Sequence, residues 1–163
     1  MPFVTVAAFR RYCEIMARSA GLGMRDTAEC MGDIISAVIG GISRYEVGLA
    51  SAADVWQTVK LIHFVMQELI APKFLELSPG ASSPEGEYVG SAFDAYDAEN
   101  GYNDEPETTD GDVWRVMVAN TDQLVRFAIK AMGESYSTCM STDIYELLDY
   151  AKFEFAAIKD EKK

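Results

Sequence analysis

Asp143, Glu146 and Asp149 stand at i, i+3 and i+6 towards the end of a 163-residue chain, a spacing that groups three carboxylates along one side of a helix. Carboxylates arranged in this way can hold magnesium in all-α pyrophosphohydrolases, so the first chemistry to weigh is a magnesium-dependent all-α hydrolase. Such an enzyme needs a second acidic helix. The nearest match, Glu29 with Asp33, lacks the paired ExxE pattern. Ile144, Leu147, Leu148 and Ala151 mark the buried side of the same segment, so the three acids read more simply as its solvated face.

A second candidate is the stretch DAYDAENGYNDE, residues 94–105, which has the look of a calcium loop. An EF-hand loop needs oxygen ligands at positions 1, 3 and 5, glycine at 6 and glutamate at 12. Setting Gly101 at position 6 puts Tyr96 at position 1; starting at Asp97 puts Thr108 at position 12; starting at Asp110 puts Trp114 at position 5. No register supplies the ligands, and the acids read as a solvated loop.

Other reactive groups are sparse. His63 is the only histidine and lies in an apolar segment, where a packed or partly exposed imidazole is the expected role. The Glu-x-x-His pairs of di-iron bundles do not occur, nor does a GxxxxGK phosphate loop or a GxSxG elbow. Cys13, Cys30 and Cys139 form no CxxC pair and read as small core residues of a reducing compartment. The eight methionines and the two tryptophans, Trp56 and Trp114, read as packing residues. The expectation is a chain that is not an enzyme and carries no cofactor or metal.

Helical periodicity accounts for the elements that would position these residues. Val6, Phe9, Cys13 and Met16 form one face of an opening helix, with Gly21-Leu22-Gly23 as its stop. Asp26 can cap a second, whose Met31, Ile34, Ile35, Val38, Ile39 and Ile42 keep the period through Gly40-Gly41. Two glycines within a helix cost roughly 1 kcal/mol each, which predicts close backbone packing there. Ser51 can cap a third. Its stripe is Val55, Val59, Ile62, Met66 and Leu69, and Trp56, Leu61, Phe64 and Val65 fill the other faces. A helix so apolar all round is expected at the centre, until Pro72 kinks or ends it.

Asp112 can cap a fourth, with Val113, Met117, Thr121, Leu124, Val125, Ala128 and Met132 in period up to Gly133. The last begins near Ser141 or Thr142 and carries Ile144, Leu147, Leu148, Ala151, Phe155 and Ile158 on one face. Apart from a short extended piece near Tyr88-Val89, nothing alternates with period two. The reading is an all-α helical bundle of about five helices. It forms a single domain over residues 1–163, with one long acidic, aromatic-containing loop, 78–111, between the third and fourth long helices.

That loop dominates the charge. The chain carries 26 acidic and 14 basic residues, a net −12. Ten acids and no base lie between Glu85 and Asp112, so that stretch holds −10, and the rest, 16 acids against 14 bases, is −2. Clustered cations for phosphate binding are lacking, which argues against direct nucleic-acid contact. No apolar run is long enough for a bilayer span, and Arg10 and Arg11 interrupt the N-terminus too early for a signal peptide. A soluble, cytoplasmic or particle-assembled protein is expected.

The function expected from these features is non-enzymatic: a protein–protein interaction or assembly subunit, such as a virion structural or connector component. Glu85, Glu87, Tyr88, Phe93, Asp94, Tyr96, Asp97, Glu99, Tyr102, Asp104, Glu105 and Glu107 of one copy would lie against Arg10, Arg11 and Arg18 of another copy or subunit. An alternative partner is a foreign basic protein surface, the chain then acting as an acidic antagonist, whether inhibitor, immunity protein or nucleic-acid mimic.

Overall fold

The computed structural model describes residues 3–19, 24–77 and 113–161, with the side chains of 24–27, 75–76 and 158–161 left aside. The helices are α1 (Val6–Ser19), α2 (Met24–Val38), α3 (Arg44–Leu49), α4 (Ala52–Phe64), a π-helical turn (Val65–Ile70), α5 (Ala71–Glu76), α6 (Val113–Met132), α7 (Tyr136–Ser141) and α8 (Ile144–Glu161). The all-α class expected from the periodicity is present, with no strand among the described residues. The expectations for Gly21-Leu22-Gly23, for the cap at Asp112 and for the whole 78–111 connection fall outside them, as does the side chain of Asp26.

Helix α1 is the hub, packing against α2 and α6 and touching α7, while α2 also meets α3 and α4, and α6 meets α7 and α8. Phe9, Tyr12, Met66, Phe74, Leu124 and Phe127 are wholly buried. Phe9 stacks on Phe74 with ring centroids 5.5 Å apart, and Phe127 on Phe155 at 4.6 Å. Each such side chain contributes roughly 1.5–3 kcal/mol through removal from water.

Local chemistry fixes the helix ends. Ser51 caps α4 by accepting from Asp54 N–H at 3.1 Å, and Gly133, at φ 69°, stops α6. Ser43 and Glu46 form a capping box at α3, and Ser135 caps α7. Two expectations are corrected. Helix α2 does not run through Gly40-Gly41: it ends at Val38, Gly41 sits at φ 84°, and a Cβ at either glycine would meet nothing within 4 Å. The pair therefore serves a left-handed turn and not a close helix contact. Pro72 does not end its helix, and the departure from regular helix lies in the turn before it. The ring would clash with the carbonyl four residues back and offers no N–H. The preceding turn widens to π, with Ala71 N–H donating to Met66 O, and helix resumes through Glu76.

Candidate functional site

The N-terminal segment is clipped to the start of α8. Val6 N–H donates to Thr142 O at 3.1 Å and Ile144 N–H to Val4 O at 2.8 Å. Between these bonds Asp143 Oδ2 accepts from Val4 N–H at 3.0 Å. Its Oδ1 accepts from Tyr145 N–H at 2.8 Å and from Glu146 N–H at 3.4 Å. Asp143 is thus the N-cap of α8 and the clasp of residues 3–6, with only 9% of its surface exposed. The expectation of a solvated face fails here, because both oxygens already serve backbone donors. Of its two companions, Glu146 is exposed and Asp149 pairs with Lys73 Nζ at 2.6 Å. Among the described residues no group of three or more His, Cys, Asp or Glu is placed to hold a metal ion.

The three arginines expected to face a partner differ in what they do. Arg10 reaches into the α1–α6 seam, donating through Nε to Asp122 Oδ1 at 2.7 Å and through a terminal nitrogen to Oδ2 at 3.1 Å, with Glu14 as a further partner. The Asp122 hydrogen bonds raise the guanidinium pKa further. Arg11 is exposed and pairs with Glu14 at 2.9 Å, and Arg18 is exposed. Burial works to raise the Glu14 carboxyl, but the Arg11 hydrogen bond and the two arginine charges outweigh it and hold the pKa below its ordinary 4.5. The twelve partner residues expected between Glu85 and Glu107 lie outside the described residues.

His63 takes the packed role expected of it, in a specific setting. Its Nδ1 lies 2.6 Å from the Tyr12 hydroxyl, and Gln67 Nε2 donates to that same oxygen at 3.2 Å. The Trp114 ring meets Tyr12 edge-on, centroids 5.5 Å apart at 90°. One buried phenol therefore joins α1, α4, the π turn and α6. Burial pushes its pKa up to about 12 and draws that of half-buried His63 down. Of this cluster, only the i, i+4 spacing of His63 and Gln67 was a cue in the sequence.

Helix α4 departs most from expectation. Val59, Ile62 and Met66 of the stripe are buried and Val55 and Leu69 partly so; of the residues on the other faces Val65 is buried, but Trp56, Leu61 and Phe64 are 48%, 64% and 54% exposed. At 3.6 residues per turn Trp56, Lys60, Phe64 and Leu61 fall within an arc of about 140°. The helix is peripheral and not central: among the described residues its buried side chains lie on the opposite arc. Lys60 within the arc, its Nζ 5.1 Å from the Trp56 ring centroid, was the sequence cue that this side faces water. Leu61 and the 71%-exposed Phe3 also border an apolar groove of about 570 Å³ between the N-terminal segment, the end of α2 and α4.

Comparison of the chain with protein-family models, with characterised proteins and with solved structures gives no match in any of the three.

Proposed function

We propose that this protein is a non-enzymatic assembly subunit that associates with copies of itself through the outer arc of α4. The observation that carries this reading is the joint exposure of Trp56, Leu61 and Phe64 on one side of α4, with the Lys60 amine over the Trp56 ring between them. Covering these half-exposed side chains would recover roughly half of the 1.5–3 kcal/mol that full burial of each gives, and aromatic anchors of this kind dominate protein interfaces. An apolar helical face set into an apolar groove is a recurring docking mode, and the groove beside Phe3 and Leu61 has that character.

The −10 stretch from Glu85 to Asp112 adds a second, electrostatic contact, with exposed Arg11 and Arg18 of the neighbouring copy as its counterpart. Arg10 is assigned to the internal seam and not to that contact. A connector or shell component of a larger particle is one setting that suits such a subunit.

Light scattering on the eluting protein tests this. The wild-type chain of 18.0 kDa should run as a multiple of its mass at high concentration, more so at low salt. Phe64→Asp and Leu61→Asp should each return it to monomer without loss of helical circular dichroism. A wild-type monomer at every concentration and salt sinks the proposal.

A further inference from the structure

We propose that the Tyr12–His63–Gln67 cluster is a proton-operated latch: neutral His63 holds α4 and the π turn against α1, and protonation at its Nδ1 releases them. Hydrogen-bond bookkeeping fixes the resting state. The Tyr12 phenol keeps its single proton at any ordinary pH, and Gln67 Nε2 already donates to its oxygen at 3.2 Å. The phenol proton must then go to His63 Nδ1, 2.6 Å away, which leaves that nitrogen bare and the imidazole neutral with its proton on Nε2.

A proton arriving on Nδ1 turns acceptor into donor. The phenol oxygen would then face two N–H groups while its own proton, at a fully buried residue, loses its acceptor. Turning the Gln67 amide over would let the phenol donate to Oε1 and accept from Nδ1–H, which leaves the half-buried cation as the cost. Facing the imidazole are the Tyr12 phenol from α1 and the Gln67 amide from the π turn; the Cys13 thiol beside Tyr12 is held neutral by burial, and Trp114 of α6 brings no charge. Burial lowers the affinity of His63 for the proton, and the Tyr12 hydroxyl at Nδ1 occupies the nitrogen that would take it. The cation would sit half-buried, so acid loosens the junction.

The sign follows from linkage. With the folded state holding the proton less tightly than the unfolded chain, stability is full above about pH 6.5 and declines as pH falls below it, until the folded state takes up the proton. Because His63 is the only histidine, its contribution can be isolated. Between about pH 7 and about pH 5.5 the folded-to-unfolded ratio should fall by up to about eightfold, the limit set by proton uptake in the unfolded state alone.

The test compares urea unfolding of wild type and His63→Asn at those two pH values, since asparagine offers an acceptor but takes no proton. Alongside it, an NMR titration follows the sole imidazole, and Trp114 emission is followed in Trp56→Phe. Expected are an imidazole midpoint below 6.5, a red shift of Trp114 with the same midpoint, and a pH loss in wild type that His63→Asn lacks. An imidazole titrating at or above 6.5, or equal losses in the two proteins, overturns the latch. If His63→Asn does not fold, the imidazole midpoint and the Trp114 shift in chains that retain His63 still decide it.

Discussion

Replacing Asp143 by alanine should destabilise the fold by about 2–4 kcal/mol, because two separate jobs end at once. Loss of the α8 cap, in which Oδ1 serves Tyr145 and Glu146 N–H, costs about 1 kcal/mol. The Val4 N–H then loses Oδ2 at a buried position, and an unsatisfied buried donor costs about 1–3 kcal/mol more. Asparagine separates the jobs, since its one carbonyl oxygen can serve the cap or Val4 but not both; about 1–2 kcal/mol should be lost. Urea titrations followed by far-ultraviolet circular dichroism give the order, and amide exchange at Val4 and Val6 should quicken in both variants. A magnesium-holding acidic face makes the opposite prediction, because removing one of three crowded carboxylates relieves repulsion in the metal-free protein. Alanine within about 0.5 kcal/mol of wild type, or asparagine as damaging as alanine, would refute the clasp.

Gly41→Ala should cost about 1 kcal/mol through its φ of 84°, whereas Gly40→Ala should stay within about 0.5 kcal/mol, since neither site is crowded; thermal melts decide both. Phe9→Ala, which empties a fully buried site stacked on Phe74, should cost about 3–5 kcal/mol in the same assay. A double-mutant cycle on Arg10 and Asp122 should give a coupling of about 0.5–1.5 kcal/mol across the α1–α6 seam. Since the folded state depresses the Glu14 pKa, its stabilising contribution is complete above 4.5 and is lost as pH falls through the folded value. Glu14→Gln should therefore show a shallower acid limb than wild type in denaturant titrations.

Periodicity made most of the helical core legible, because the spacing of Phe9 and Cys13, of Val59, Ile62 and Met66, or of Leu147, Leu148 and Ala151 reflects which side chains must leave water. Caps were legible where the donor is local, as at Ser51. What escaped depends on partners distant in sequence. Nothing local marks Asp143 as the acceptor for Val4, 139 residues away, or Arg10 as the cation for Asp122. Gly40-Gly41 is ambiguous for a related reason: apolar spacing continues into Ile42, while the backbone turns left-handed at Gly41. Apolar content alone also misplaced α4, since it cannot say whether Trp56, Leu61 and Phe64 are covered by the chain or left for a partner.

The outer arc of α4 as a contact between copies is tested most directly by hydroxyl-radical footprinting across a dilution series. Oxidation of Trp56, Leu61 and Phe64 should fall steeply as concentration rises, while exposed Phe153, far along α8, keeps a constant rate. Equal labelling of α4 at every concentration, in protein that remains folded, would contradict the account.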